Sequence, residues 1–461
     1  MTIEVSTPMA VSTPTDSILT NPEVGTAKVS TKVDRAAYLG NLLSLRSPVE
    51  NLPWLQELRN QAAAIVQELA IPTTRDEDWR FTDLSALVAQ TWQQPDPAID
   101  LKACDSIVLP EAGCRLVFMN GVFKPHLSKL EDLPAGVFVG NLAQLPSDRL
   151  AAVQAALGHQ TGAEEVFTAL NTASLTDAAI VCIPRNVAVE KPIHLVFLSR
   201  TAGTTTIAQP RCLVLAETGS AVTLVEEYSS ADAPGTYFTN AVTEVVVGDN
   251  AQVNHTRIQW ENQQAFHIGK TAVSQGRDAR YICTAISLGG QVSRHHFEVY
   301  SQGEQTHSQL MGLTIVDGDR TADTHSLIAF SKPYCTATQV NKCIADGKAH
   351  GVFNGRIYVP KLAQQTDASQ MSRNLVLSSK ARIDTKPQLE IVADNVKCAH
   401  GATVSQLEDD EVFYLQSRGI GADAARKLLT FAFATEIINQ IPVASLRQSL
   451  TQMMRDRQAA S

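Results

Sequence analysis

Residues 178–405 are patterned as short apolar or alternating runs broken by small polar turns. Ala221–Tyr228 follows Thr218-Gly219-Ser220, Gln252–Trp260 follows Gly248-Asp249-Asn250, and Tyr281–Ser287 follows Gly276-Arg277-Asp278. The form returns in Leu310–Val316 after Gly303, in Val352–Val359 after Gly347-Lys348, and in Leu375–Leu377 before Ser378-Ser379-Lys380. Each run has strand length and β-branched character, and no helical period interrupts them. Such a chain is a sandwich, a barrel, a propeller or a β-solenoid. The repeated turn-then-strand unit favours the solenoid, in which each coil buries its apolar face on its neighbours, although the spacing drifts between about a dozen and thirty residues.

Helical periods flank this block. Asp34 is placed to cap a run carrying Ala36, Leu39, Leu42, Leu43 and Leu45. Pro53 opens a second, with Leu55, Leu58, Ala62, Ile65, Val66 and Leu69 on one face, ended by Pro72. The stretch 141–158 reads as a third amphipathic helix, so 35–177 is expected to be an N-terminal helical region. Beyond 405, Asp409–Gln416 is a short helix stopped by Gly419. Ala424–Ile441 carries Leu428, Leu429, Phe431, Phe433, Ile437, Ile438 and Ile441 around most of its circumference. After Pro442, Val443–Arg457 has one stripe of Leu446, Leu450, Met453 and Met454. Residues 406–461 thus form a C-terminal helical domain, and its long apolar helix must be covered, either by the solenoid end or by another protein. Residues 1–34, rich in Ser, Thr, Pro and Val without a period, read as a disordered tail.

Charge narrows the partners. The net charge is −9 and no Lys/Arg run occurs, which excludes a phosphate-tracking basic face for nucleic acid or an anionic membrane. No apolar run approaches the ~20 residues of a membrane span, and no secretory signal opens the chain. Glu4, Asp16 and Glu23 precede the first arginine, at position 35, unlike an organelle transit peptide. A cytoplasmic location is expected. The eight cysteines (104, 114, 182, 212, 283, 335, 343 and 398) include no CxxC pair, and those in apolar runs read as small buried hydrophobes.

The chain lacks a GxxxxGK[ST] loop, a strand-following GxGxxG, an HExxH helix and a GxSxG elbow, so no catalytic residue is assigned. A β-solenoid that processes polysaccharide is the rival enzyme class. It is disfavoured by the missing secretion signal and by an aromatic content of only 6%, which offers few sugar-stacking platforms. Cys398 and His400, two apart, project from one face of a strand, where a thiolate and an imidazole suit iron, persulfide or cluster handling. The adjacent Lys397 is expected to lower the thiol pKa. The plain alternative is a buried cysteine beside a hydrogen-bonded histidine. His295 and His296 must face opposite sides of a strand, one lining the core and the other facing solvent. Trp79 reads as an anchor for the helical region rather than a ligand platform.

Ala381–Ile420 reads ARIDTKPQLEIVADNVKCAHGATVSQLEDDEVFYLQSRGI and closely resembles the C-terminal signature of the SufB/SufD family. Weaker matches are Arg75–Leu84 (RDEDWRFTDL) and Phe167–Ala173 with Ile183-Pro184 and Lys191-Pro192-Ile193, and the resemblance covers about residues 35–460. Where SufB members carry Cys-Asp-Ser, this chain has Gln370-Met371-Ser372-Arg373-Asn374. The Lys386–Ile391 and Lys397–Gly401 stretches have the form of the SufD branch. The resemblance implies a right-handed parallel β-helix flanked by helical regions, and a non-catalytic scaffold for iron–sulfur cluster assembly. It implies pairing with SufB, binding of the ATPase SufC, and a functional link to SufS and SufE. It implies no tightly bound cofactor in the isolated subunit, but transient iron or cluster in the complex. Cys398 and His400 then become a half-site completed by SufB. Phe413, Tyr414, Arg418, Gly419, Leu428, Leu429 and Phe433 become candidates for docking SufC. A purely structural solenoid partner without a metal role is the remaining alternative.

Overall fold

The computed structural model describes residues 34–49, 52–96, 101, 108–201, 203–231 and 235–460, so the expected tail (Asp34 apart) and Cys104 lie outside the described residues. The helices are α1 (Arg35–Ser44), α2 (Pro53–Glu68), α3 (Ser85–Val88), α4 (Ser147–Ala156), α5 (Val166–Ser174), α6 (Asp409–Ser417), α7 (Ala422–Ile438) and α8 (Ala444–Ala460). The first strands are β1 (Cys114–Met119), β2 (Val122–Phe123), β3 (Phe138–Asn141), β4 (Ala179–Ile183), β5 (Ile193–Ser199), β6 (Thr206–Ala208) and β7 (Arg211–Ala216). Then follow β8 (Ala221–Ser230), β9 (Tyr237–Val247), β10 (Gln252–Gln259), β11 (Phe266–Gln275), β12 (Arg280–Ser287), β13 (Val292–Ser301) and β14 (His307–Val316). The last are β15 (Thr321–Phe330), β16 (Thr336–Ala345), β17 (His350–Val359), β18 (Asp367–Val376), β19 (Arg382–Ile391) and β20 (Lys397–Ser405).

From β8 onward the chain alternates between two sheets. Even-numbered strands stack in the order β8-β10-β12-β14-β16-β18-β20, and odd-numbered ones in the order β19-β17-β15-β13-β11-β9. Neighbours are parallel and in register, as in Arg280↔His307 and Thr336↔Asp367, so each coil takes roughly thirty residues. The result is a β-solenoid of about eight turns with helical regions at both ends of the sequence. Each coil holds two strands, and corner loops of unequal length separate them, which is why the sequence period drifts. Asn250 and Asp278 take positive φ at such corners (55° and 56°), the left-handed conformation that short polar side chains tolerate.

Alternation within each strand sends apolar side chains both into the coil and onto its outer faces. Leu224, Val253, Tyr281, Cys283, Phe297 and Val299 point inward and stack coil on coil. Val225, Ile258, Ile286, Leu313 and Ile344 point outward from the even sheet and meet Ala434, Ile437, Ile438, Leu446 and Leu450 of α7 and α8. On the odd sheet Phe238, Phe266, Ile268 and Val292 point outward beneath α1, α2, α5, Trp79 and Trp92. Strands covered on both sides read as continuous apolar runs, and each large side chain so buried contributes about 1.5–3 kcal/mol. No helix among the described residues is long and apolar enough to cross a membrane.

Three expectations are corrected. The stretch 35–177 is not wholly helical: it holds β1–β3, and β1 pairs in parallel with β5, adding an apolar strand to the first coil. Helix α4 starts at Ser147, not 141, because Phe138–Asn141 is taken up by pairing with β4 and Pro146 sets the helix start. The apolar helix α7 is covered by a face of the solenoid rather than by its end.

The two ends of the solenoid differ. At the first, the sheets finish in antiparallel pairs, β2 on β1 and β3 on β4. At the other, β20 and β19 close the strand order, with no further strand beyond them among the described residues.

Candidate functional site

The open end carries Cys398 and His400. In β20 the register sets Cys398 over Ala368 and His400 over Gln370 of β18, two residues buried inside the coil. Cys398, His400, Ala402 and Val404 therefore form the inward row of the last coil. Thr385, on the inward row of β19, donates its hydroxyl to Ser372 at 2.9 Å. With no coil above, His400, Ala402 and Val404 are exposed. Cys398 is half-buried and packs with Leu389 and Val396 onto the top of the core.

The expected lowering of the Cys398 thiol by Lys397 is not realised. Lys397 alternates to the opposite face and is exposed. Burial pushes the thiol above its ordinary value and the Asp367 carboxylate adds to this, against an opposing backbone hydrogen bond at Ala368. Among the described residues no three His, Cys, Asp or Glu side chains converge on a metal-sized point. Two adjacent donors at an open end fit half of a site, not a closed cage.

The seven proposed docking residues divide. Val412 anchors α6, leaving Phe413 70% and Tyr414 58% exposed, and Leu428 of α7 is 46% exposed. Arg418 lies 5.4 Å from the centre of the Tyr414 ring, and Gly419, at φ +85°, supplies the left-handed turn that ends α6. Leu429 is half-buried. Phe433 turns toward the solenoid, where the buried Lys342 ammonium sits 4.3 Å from its ring and donates to its carbonyl oxygen at 3.0 Å. The free apolar surface is thus Phe413, Tyr414 and Leu428, at the N-terminal half of the helical domain.

His295 lines the interior, its Nε2 2.9 Å from the Thr271 hydroxyl. His296 is on the outer face as alternation requires, yet it is half-buried beside His325 rather than solvent-facing, because the N-terminal region covers this part of the sheet. Trp79 is an anchor: it is buried against Phe167, ring centres 5.3 Å apart. Sequence reasoning missed a polar strip inside the solenoid. His255 bridges Glu226 (2.8 Å) and Tyr281 (2.9 Å), while Arg257 donates to His267, whose Nδ1 lies 2.7 Å from Glu261. The signal was present in polar residues at alternate, inward positions, Glu226/Tyr228 and His255/Arg257.

Comparison with known proteins assigns the fold and the open end to a lineage. The model for the "SUF system FeS cluster assembly, SufBD core domain" matches residues 197–433, and that for the "SufBD protein N-terminal region" matches 48–195. The chain belongs to the SufBD family. It is 45% identical over 408 residues to an iron–sulfur cluster assembly SufBD family protein of Synechocystis sp., covering 87% of this chain and 90% of that one. It is 33% identical to the chloroplastic protein ABCI7 of Arabidopsis thaliana (87% and 85% covered). It is 31% identical to the iron–sulfur cluster assembly protein SufD of Escherichia coli (85% and 90%). As a SufBD protein the chain takes part in iron–sulfur cluster assembly. The core match ends within α7, so α8 lies beyond it, and it takes in both the open end and the exposed patch.

Proposed function

We propose that this chain is the SufD-type scaffold subunit of a SufB–SufC–SufD assembly, pairing through its open solenoid end with SufB. The observation that carries the reading is the last coil, where His400 stands exposed beside Cys398 on an unpaired end. Unpaired strands of a sheet accept further strands, and a second solenoid end is the complementary occupant. Across that junction His400 and Cys398 supply two donors to iron or to the growing cluster, which is the substrate here, and a SufB cysteine completes the set. The subunit contributes to iron acquisition and nascent cluster assembly without catalysing a step itself and without a tightly bound cofactor. ATP hydrolysis falls to SufC, docked on Phe413, Tyr414 and Leu428, since this sequence has no P-loop. SufS and SufE deliver sulfur to the assembly. The cytoplasm is the compartment assigned by this reading, because such chemistry needs reduced thiols, and the described cysteines are all free.

One observation favours a narrower role for Cys398. Its half-buried thiol, raised by burial, packs onto the top of the core with Leu389 and Val396 in the free subunit, a placement that suits packing as well as ligation.

The test is co-purification with SufB and SufC, wild type beside His400→Ala, followed by anaerobic iron and sulfide analysis. A stable complex in both, with cluster held only by the wild type, is the expected result. Normal loading of the His400→Ala complex removes the metal role and leaves a structural partner. Failure of the wild type to bind either protein overturns the scaffold assignment.

A further inference from the structure

Beneath His400 the interior holds a short ladder of side-chain amides. Gln339 of β16, Gln370 of β18 and His400 of β20 occupy one register position in three consecutive coils. Gln339 donates its amide N–H to the Ser326 hydroxyl at 2.8 Å and accepts one from Gln370 Nε2 at 2.8 Å. Gly355, opposite, keeps the space open: a methyl group there would overlap the Gln370 amide nitrogen. Both glutamines are buried, at 4% and 1% exposure.

The ladder is one acceptor short of an end. Gln370 Oε1 is buried and has no hydrogen-bond partner. Amide stacks along parallel, in-register strands run head to tail, each oxygen accepting from the layer that follows. The Gln370 nitrogen is committed to Gln339, which leaves its oxygen as the group free for the following layer. The side chain in that layer at this register position is the imidazole of His400, a group able to donate. A buried carbonyl without a hydrogen-bond partner is costly, which gives this contact its driving force.

We infer that Gln370 is a positioning residue for His400, its carboxamide oxygen accepting one imidazole N–H so that the other ring nitrogen keeps its lone pair facing the open end. This rests on the reading of His400 as an iron ligand, since a ligating imidazole needs its second nitrogen held by an outer partner that fixes the tautomer. Hydrogen bonds run from Ser326 through Gln339 to Gln370, and the inferred last link to His400 extends that restraint to the surface, orienting the ring before any partner arrives.

The experiment uses the full-length, metal-free chain labelled with ¹⁵N-histidine. Its ring nitrogens are read at a pH where exposed imidazoles are neutral, with His400→Ala assigning the His400 signals among the 11 histidines. Wild type should show one protonated and one unprotonated ring nitrogen for His400, widely split. Gln370→Leu should collapse the pair toward the average of two exchanging tautomers. Gln370→Glu, which retains an acceptor, should keep the split. An unchanged pair in Gln370→Leu, or an already averaged pair in the wild type, overturns the inference. If the buried histidine signals shift in Gln370→Leu, the unbranched Gln370→Met repeats the test with the packing preserved. Anaerobic ferrous iron binding to the SufB–SufC complex should weaken roughly 10- to 100-fold in Gln370→Leu. Should the tautomer collapse while the His400→Ala complex loads normally, the positioning stands and the ligand reading falls. An unmoved tautomer with a cluster-less His400→Ala complex does the reverse.

Discussion

The guanidinium of Arg294 lies 3.9 Å over the ring of Trp79 while donating to the Asp323 carboxylate, with His325 Nε2 2.9 Å away. Thr82 donates its hydroxyl to the same carboxylate. One buried cation thus fastens the Glu77–Asp83 stretch of the N-terminal region to the outer face of two coils. Asp323 is held well below the usual carboxylate range: burial opposes this, but His325 and Arg294 outweigh it.

Removing that cation leaves the carboxylate buried and uncompensated. Arg294→Met should lower the unfolding free energy by about 3–5 kcal/mol. Adding Asp323→Asn should recover most of the loss. Urea unfolding followed by circular dichroism measures both, and a single variant as stable as wild type contradicts the account.

Acid should destabilise the solenoid first through its buried imidazoles. Burial, with Arg257 and His267 nearby, holds His295 well below its ordinary value. Below pH about 6.5 the unfolded chain takes up a proton there that the folded chain refuses. Stability then falls by up to about 1.4 kcal/mol per pH unit for this group. His295→Gln should flatten that limb of the melting temperature against pH and leave the slope above pH 7 unchanged. Glu226 acts lower: burial opposes ionisation, but His255, Arg257 and Thr243 bring its pKa to about 2. Its contribution is present above pH 4.5 and is lost as pH falls toward 2.

Phe413 and Leu428 project into solvent, so replacing both with serine should change stability by less than about 0.5 kcal/mol each. Capture of SufC should weaken by tenfold or more, as expected for apolar anchors. Phe433→Ala should do the opposite, costing on the order of 2 kcal/mol of stability because the ring packs on the solenoid. Calorimetric titration with SufC beside thermal melts separates the two effects, and tight capture by the double serine variant rejects the docking surface.

Val404→Asp sets a carboxylate on the exposed inward row of the last coil. The free chain should melt as the wild type does, while its co-purification with SufB is lost. Retained pairing would move the SufB contact away from the open end.

The solenoid was legible because turn chemistry and strand length recur through 200 residues, and the C-terminal helices because Pro442 and Gly419 punctuate them. The strand Cys114–Met119 escaped detection because its partner, Ile193–Ser199, lies some eighty positions away and no repeat surrounds it. Cys398 and His400 were visible as a pair through a two-residue spacing, and their common face follows from strand alternation alone. Their environment was not visible. The thiol shift depends on burial in the last coil and on the Asp367 carboxylate, while Lys397 faces away. Nor does any local pattern join Trp79 to Arg294, since that contact exists only once the coils stack.

One end of the solenoid finishes in short antiparallel strands and the other in parallel strands with no further strand beyond them among the described residues, so only the second presents a whole coil for stacking. A rod sticky at both tips would string into fibres as parallel strands added coil upon coil. A rod sticky at a single tip can be satisfied once, after which both outer tips of the pair are inert. If the open end is the pairing surface proposed above, the hairpin β1–β2 matters to assembly as much as that end does, because it limits stacking to a finite pair.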